Sequence, residues 1–374
     1  VEISFFKPSI TQADKDAVCQ ALDSGWLTYG QVNLDFEKDL CEYTGASFAL
    51  TVNSCTAALH LALIAVGVKE GDYVITTPYT FVATANAIRY VGAIPLFVDV
   101  DYNYNIDPEK VSEALYADNM FQRVKAVIAV DFAGVPCDYD RLRTVLKGTD
   151  IPIIGDAAHS LGATYKGKKI GSVADITCFS FYATKTMTTG DGGAILTDNK
   201  KWAEKIRLYG LNGLDKGAWK RYADKNMWRY DAEVVGYKFN MPGINAALGR
   251  SQLKRLDEMR LKRWEIMSYY NDTLDGHVAL PPYDPGMSAH LYVIGVNHRD
   301  MFVQKMAERG VHCSVHCIPV PSFTAYGKQD LTKWPTCVKL FQSAVSLPIY
   351  PDMDGREVGY VSSCVRELTE DDPL

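Results

Sequence analysis

Phe179-Ser180-Phe181-Tyr182-Ala183-Thr184-Lys185, continued by Thr186-Met187-Thr188-Thr189-Gly190-Asp191-Gly192-Gly193-Ala194-Ile195, is the stretch on which the reading of this chain turns. Its one lysine stands in an apolar and hydroxylated run, with no acidic residue within five positions on either side. Such a lysine has no local ion-pair partner. Burial there disfavours the ammonium, lowers the pKa and leaves a nucleophilic amine suited to a Schiff base with a carbonyl. Ser180 lies five residues before it. Two glycine-containing turns follow, where backbone can pass close to a ligand. Taken alone, a lysine before a glycine-rich turn is more often a plain surface residue, so the reading depends on the rest of the chain.

Working outward, Ile176–Phe181 before the lysine and Gly193–Thr197 after it read as strands. Upstream lie the short apolar runs Phe48–Val52, Tyr73–Thr77, Ile94–Val98, Val124–Val130 and Ile151–Ile154. Helical patterns separate them. One follows Asn53-Ser54-Cys55-Thr56 and carries Leu59, Leu61, Leu63 and Ile64; another, Val82–Val91, follows Pro78-Tyr79-Thr80-Phe81. Strands alternating with helices in this way give an α/β fold, a mainly parallel sheet with helices on both faces. Functional groups in such folds gather at the carboxyl ends of strands. Ser54, Phe81, Asp131, Asp156 and Lys185 all stand at or just beyond such ends. The turn at Asn53–Thr56 leads into a helix N-terminus, which suits a phosphate, although the same residues are ordinary N-caps.

Ahead of the first strand, Ile10–Ser24 reads as a helix with Thr11 as N-cap and Asp14 completing a box-like pattern. A second helix runs from about Val32 to Thr44. Between them Gly25-Trp26-Leu27-Thr28-Tyr29-Gly30 brackets two aromatics, a loop that faces either solvent or the body of the protein. From Lys200 to Glu233 the chain turns polar and aromatic, with Trp219, Tyr222, Trp228 and Tyr230, and shows no clear period. A loop of that length is usually functional or an interface. A long helix is expected from about Ile244 to Leu274, then strands near Ala289–Val296 and Val311–Ile318 flanking a helix at Met301–Arg309. The expected division is a large α/β domain over 1–245, with the long helix and a small α+β domain over 246–374.

The bulk numbers narrow the class. The chain has 374 residues, 47% hydrophobic and 22% charged, as in ordinary soluble globular proteins. Its net charge of −6, from 39 basic and 45 acidic residues, argues against nucleic acid as an obligate partner. No apolar run reaches the roughly 18 residues of a membrane span. The start, Val1-Glu2-Ile3-Ser4-Phe5, has no basic head before an apolar run, so no secretory leader is expected. Nine scattered cysteines fit reduced thiols in a cytoplasmic enzyme. The cluster His312-Cys313-Ser314-Val315-His316-Cys317 invites a metal reading. On a strand its histidines and cysteines fall on opposite faces, so no metal site is expected.

Asp156 is the second pillar. A strand-end aspartate followed by Ala157 and Ala158 can reach an aromatic nitrogen and keep it protonated. With a nucleophilic lysine, that points to pyridoxal phosphate (PLP) as the carbonyl partner. Phe81 offers a flat face for a ring, and Ser180 a hydroxyl for a phosphate.

Asn53-Ser54-Cys55-Thr56-Ala57-Ala58-Leu59-His60, Thr77-Pro78-Tyr79-Thr80-Phe81-Val82-Ala83-Thr84, Gly155-Asp156-Ala157-Ala158-His159-Ser160 and Phe179–Gly193 occur in one order. That set resembles the DegT/DnrJ/EryC1/StrS family of nucleotide-sugar aminotransferases. The likeness runs from Gly25-Trp26-Leu27-Thr28 to Leu347-Pro348-Ile349-Tyr350-Pro351. It implies a fold type I PLP-dependent transferase, with a mainly parallel seven-stranded sheet domain and a smaller C-terminal α+β domain. It also implies a homodimer with active sites at the interface. Lys185 then matches the Schiff-base lysine, Asp156 the partner of the ring nitrogen, Phe81 the stacking position, and His159 a neighbour of the ring hydroxyl. Ser54, Cys55, Thr56 and Ser180 match the cofactor cradle. Asn240 resembles a residue lent by the other subunit; many members show an Asn-aromatic-Arg pattern where this chain has Lys238-Phe239-Asn240. Cys55 stands where glycine is common, and Asp191 where glutamate is common.

The implied reaction moves an amino group from L-glutamate to a keto sugar linked to UDP or dTDP. Ala157-Ala158-His159 resembles members that aminate C4; those acting at C3 more often carry glutamine in place of the histidine. A 4-keto-6-deoxy sugar is therefore expected, with Trp26, Thr28, Tyr29 and His316 facing it. Three alternatives stand beside this one. A dehydratase branch of the family has histidine in place of the lysine. Amino-acid aminotransferases usually carry an arginine for the α-carboxylate. A regulatory protein could keep the fold without the chemistry.

Overall fold

The computed structural model describes residues 2–214 and 230–370. Trp219, Tyr222 and Trp228 lie outside the described residues. The large domain opens with α1 (Gln12–Asp23) and α2 (Gln31–Thr44). Then come β1 (Phe48–Val52), α3 (Cys55–Val66), β2 (Tyr73–Thr76), α4 (Val82–Tyr90), β3 (Ile94–Phe97), α5 (Pro108–Tyr116) and β4 (Val124–Val130). α6 (Tyr139–Val145), β5 (Ile153–Asp156), a small hairpin β6–β7 (Thr164–Tyr165 and Lys168–Lys169), β8 (Ile176–Ser180), β9 (Gly193–Thr197) and α7 (Lys200–Gly210) complete it.

Seven strands form one sheet in the order β1-β9-β8-β5-β4-β2-β3. All neighbours are parallel except at β9, which runs antiparallel to β1 and β8. The strands are apolar on both faces because helices cover both. In β4, Val127 and Ala129 feed one core while Ala126 and Ile128 feed the other. That is the period of two expected of a strand between two helical layers. The fold type I sheet inferred from the motifs is thus present.

The small domain follows α8 (Gly243–Leu253) and α9 (Leu256–Leu274). It contains β10 (Tyr292–Gly295), α10 (Arg299–Glu308), α11 (Pro335–Ser343), β11 (Ala344–Leu347) and α12 (Gly355–Thr369), with β10 and β11 paired antiparallel. Its core joins Tyr270, Tyr292, Val345 and Val361, and draws in Ile3 from the N-terminus. A boundary at 245/246 falls in the first turn of α8.

Three local expectations need correction. The helix over 244–274 is two helices, broken at Lys254–Arg255. At the break Arg255 Nη2 reaches Asp14 Oδ2 at 3.0 Å, and Gln252 Nε2 reaches the same oxygen at 2.9 Å. The turn lets both side chains meet one buried carboxylate on α1, a tertiary demand with no glycine or proline to announce it. The supposed loop at Lys200 begins as α7. Asn199 caps it through Lys201 N at 3.0 Å, and Ala203, Ile206 and Gly210 form its buried stripe. The supposed strand Val311–Ile318 makes only two isolated bridges, Ile3 with Val311 and Ser314 with Ser346. His312 turns to Glu2 and His316 to Ser346, so the two histidines part company without the strand alternation. No cluster of three metal-ligating side chains occurs among the described residues. No helix among them is long and apolar enough to cross a membrane.

Candidate active site

Asp156 ends β5 and is 5% exposed. Thr84, in the first turn of α4, donates to its Oδ2 at 2.7 Å. The backbone N–H of Ala158 lies 3.3 Å from Oδ1, and the Cys55 thiol 3.8 Å from the same atom. Burial pushes the carboxyl upward; Thr84, Ala158, the charge of Lys185 and Cys55 pull it back.

The turn after β8 holds Lys185. Its hydroxylated surroundings explain themselves here: Thr188 Oγ1 donates to Phe181 O at 3.1 Å, and Thr189 Oγ1 to Asp191 O at 2.8 Å. The same carbonyls also accept from Thr189 N and from Asn245 Nδ2, each at 2.9 Å, so the turn's backbone is held from two sides. Burial lowers the Lys185 amine from its ordinary value, against the pull of Cys55, Asp156 and Cys317.

Three imidazoles feel the charge of Lys185. His159 accepts a hydrogen bond at Nδ1 from the N–H of Ala133, 3.2 Å away, so a neutral ring carries its proton on Nε2. Its carbonyl accepts from Ser288 Oγ at 2.6 Å. Gly134 is required beside that contact: at φ 92° a Cβ would lie 2.0 Å from Ser288 Oγ. His290 packs its ring 4.5 Å from that of His159. Burial holds both rings well below the ordinary histidine value, with the Lys185 charge adding to it. His316 bonds Ser346 Oγ through Nδ1 at 2.9 Å and is pushed down to about 4 by burial and then by Lys185.

The N-terminus of α3 faces the β8–β9 strands. Ser54 Oγ accepts from Ala57 N at 3.1 Å, leaving the N–H groups of Cys55 and Thr56 at the helix mouth. Gly193 lets the strands come this close, because a Cβ there would meet Ser54 C at 2.7 Å and Cys55 N at 2.8 Å. Ser180 ends β8 nearby, its hydroxyl 3.4 Å from Tyr182 N. Asn240 bridges Val52 within the same chain, and its Oδ1 is buried without a hydrogen-bond partner among the described residues. Lys238 is exposed and bridges Leu211. Phe81, the N-cap of α4, leaves its ring 69% exposed.

The Gly25–Gly30 loop packs on the body. Gly243 N donates to Leu27 O at 2.9 Å, and Trp26 Nε1 to Tyr29 O at 3.0 Å. Thr28 is exposed. The Tyr29 hydroxyl donates to buried Glu37 at 2.9 Å, and Arg207 completes that group with a 3.0 Å bond to Glu37. The structure therefore gathers Lys185, Asp156, Cys55, His159 and His316, and spends the Tyr29 hydroxyl on a structural ion pair. Sequence reasoning missed Thr84, His290 and Cys317. Thr84 left a trace, four residues after Thr80 in the run Thr77–Thr84, and Cys317 stood in the cluster weighed for a metal.

These residues fit PLP. Asp156 is a buried acceptor with no ion-pair partner in bonding range among the described residues, ready for a protonated ring nitrogen. A helix mouth with hydroxyls suits the phosphate. The bare face of Phe81 suits the ring, and the lowered lysine suits the aldehyde. The group itself supplies that aldehyde and a ring that draws electrons from the substrate carbon.

Comparison with known proteins agrees. The pattern of the DegT/DnrJ/EryC1/StrS aminotransferase family matches residues 8–366. The chain is 41% identical over 378 residues to the spore coat polysaccharide biosynthesis protein SpsC of Bacillus subtilis, covering 97% of this chain and 96% of that one. Its structure matches Spr1654 of Streptococcus pneumoniae in the PLP form with a TM-score of 0.91 and 31% identity, over 99% of each chain. It matches Helicobacter pylori PseC, an aminotransferase involved in the biosynthesis of pseudoaminic acid, at 0.90 and 29%, over 99% of this chain and 100% of that one. Buried carboxylate, lowered lysine, helix mouth and relatives converge: the chain belongs to the DegT/DnrJ/EryC1/StrS aminotransferase family, as a PLP-dependent enzyme of its sugar aminotransferase branch.

Proposed function

We propose that this enzyme moves the amino group of L-glutamate to C4 of a UDP- or dTDP-linked 4-keto-6-deoxy sugar. The product is a 4-amino sugar for surface glycan biosynthesis. The enzyme works as a homodimer whose sites are shared across the interface. The C4 preference is carried by Ala157-Ala158-His159, with His159 inside the lysine group, where members acting at C3 more often have glutamine. The role of SpsC in polysaccharide biosynthesis and of PseC in the pathway to pseudoaminic acid supports a surface sugar as product.

Each residue has a defined task. Lys185 anchors the cofactor and, once displaced, takes and returns a proton at Nζ. Asp156 keeps the ring nitrogen protonated. His159 offers its Nε2–H as a neutral donor. Ser54, Cys55, Thr56 and Ser180 hold the phosphate from one chain, and Asn240 or Lys238 from the other. Trp26, Thr28 and His316 bound the sugar nucleotide, with Tyr29 fixing the loop that carries the first two.

The test is a panel of UDP- and dTDP-linked 4-keto and 3-keto sugars incubated with glutamate, with amino-sugar formation followed. Conversion of 4-keto sugars alone is expected. Conversion confined to 3-keto sugars, or activity on amino acids and keto acids without any sugar, would overturn the reading.

A further inference from the structure

Asp156 must be ionised to serve the cofactor ring, yet it stands where burial works against its charge. The strongest counterweight lies on α4. Thr84 Oγ1 is 2.7 Å from Asp156 Oδ2, and Thr80 Oγ1 is 2.8 Å from Thr84 Oγ1. Both threonines are buried, Thr84 to 1% and Thr80 to 2% exposure. A hydroxyl has one proton, and an ionised carboxylate only accepts. Thr84 therefore gives its proton to Asp156, and Thr80 gives its own to Thr84. The direction of the Thr84 bond is tied to the charge state of Asp156: a carboxyl protonated at Oδ2 would donate to Thr84 Oγ1 instead, which can still accept from Thr80. Thr80 stands just before the Phe81 N-cap, four residues ahead of Thr84, so its hydroxyl reaches the first turn of α4 from outside the helix. Phe81, whose bare ring awaits the cofactor, stands between them in sequence.

We propose that Thr84, backed by Thr80, is the positioning residue that keeps Asp156 a carboxylate and fixes its rotamer for the cofactor's ring nitrogen. The N–H of Ala158 and the thiol of Cys55 serve the other oxygen. Burial and then the Asp156 charge hold that thiol protonated, so it acts as a donor. The other titratable groups around Asp156 are Cys178 from β8, Tyr139 from α6, Lys185 from the β8–β9 turn and Cys317 from the small domain. Of these, burial raises Cys178, Tyr139 and Cys317 and so keeps them neutral, and Lys185 is the one basic group, its amine lowered by burial.

The test titrates apo-protein with PLP between about pH 5 and pH 8, followed by absorbance, above the ordinary carboxylate value and so on the side toward which burial moves the group. It uses no sugar, so its outcome is independent of the substrate reading. Thr84→Val is expected to weaken PLP binding about tenfold or more, the worth of one hydrogen bond to a charged group. The loss should deepen as pH falls, because a carboxyl without that donor protonates at a higher pH. Thr84→Ser should restore both affinity and pH profile. Thr80→Val should shift the profile in the same direction by less. Binding by Thr84→Val that equals the unmodified protein at every pH overturns the proposal, and so does a uniform loss that serine does not rescue. If Thr84→Val fails to fold by circular dichroism, Thr80→Val decides: a profile moved to higher pH supports the proposal, an unmoved one overturns it.

Discussion

Lys185 sits where a cation is poorly accommodated, and that has a consequence for the apo-protein. Burial depresses its pKa below the ordinary 10.5. Between the folded value and the ordinary one, the unfolded chain binds more protons than the native chain. The stability of the apo-fold therefore rises with pH through that window, and the penalty is fully present below it. Lys185→Met removes the penalty. The apo-variant should melt higher than the unmodified apo-protein at neutral pH, by about 1–2 °C for each kcal/mol relieved in a chain of this size, with a flatter pH dependence. The same variant should lose the visible absorbance and the borohydride-trappable adduct with PLP. A lower apo melting temperature would show that the amine is a net stabiliser of the fold. His159, His290 and His316 are neutral by burial, so they add no competing positive charge. Lys185 and Asp156 could be found in the sequence because chemistry demands their residue types beside strand ends. His290 and Cys317 could not, because they arrive from a domain more than 100 positions away, by packing alone.

Among the elements, the approach of β9 to the mouth of α3 shapes the proposed phosphate cradle, and Gly193 is the residue that permits it. A Cβ there would lie 2.7 Å from Phe179 O and Ser54 C, both backbone atoms that cannot swing aside. Gly193→Ala should destabilise the protein by about 1–3 kcal/mol through overpacking, measured by urea unfolding. It should also weaken PLP binding, because the N–H groups of Cys55 and Thr56 move with the helix. Unchanged affinity in a folded Gly193→Ala protein would place the phosphate elsewhere. The strands around this cradle were legible because each is a short apolar run closed by polar turn residues, as at Val52-Asn53-Ser54. The break at Lys254–Arg255 was not, because its cause is a carboxylate more than 200 residues away at Asp14. α7 escaped because its buried stripe is three small or single apolar residues among charges. The 311–318 run alternates like a strand, yet the small sheet ends at β11, and only Ser314 borders it.

At the scale of the molecule, the proposed shared-site homodimer makes a claim about Asn240 that mixing can decide. Within its own chain Asn240 is pinned by its backbone beside Val52, and Asn53 N donates to Phe239 O at 2.7 Å. Its side-chain oxygen is buried with no hydrogen-bond partner among the described residues of that chain. Leaving such a group unmatched costs about 1–3 kcal/mol, so a ligand or a second chain that satisfies it is favoured. If Asn240 serves the neighbour's phosphate, Lys185→Ala and Asn240→Ala are complementary. In a hybrid dimer one site joins the intact lysine of the second variant to the intact asparagine of the first, while the other site has neither. Random reassortment of equal amounts makes about half of the dimers hybrid, each with one sound site, so about a quarter of full activity should return on mixing. Each variant alone should stay near background. If Asn240 instead serves its own chain, every site in every dimer lacks one of the two residues, and mixing restores nothing. A tag on one variant, used to capture the mixed preparation, reports whether the untagged subunit has exchanged into the same dimers, so an absent recovery with proven exchange assigns Asn240 to its own chain.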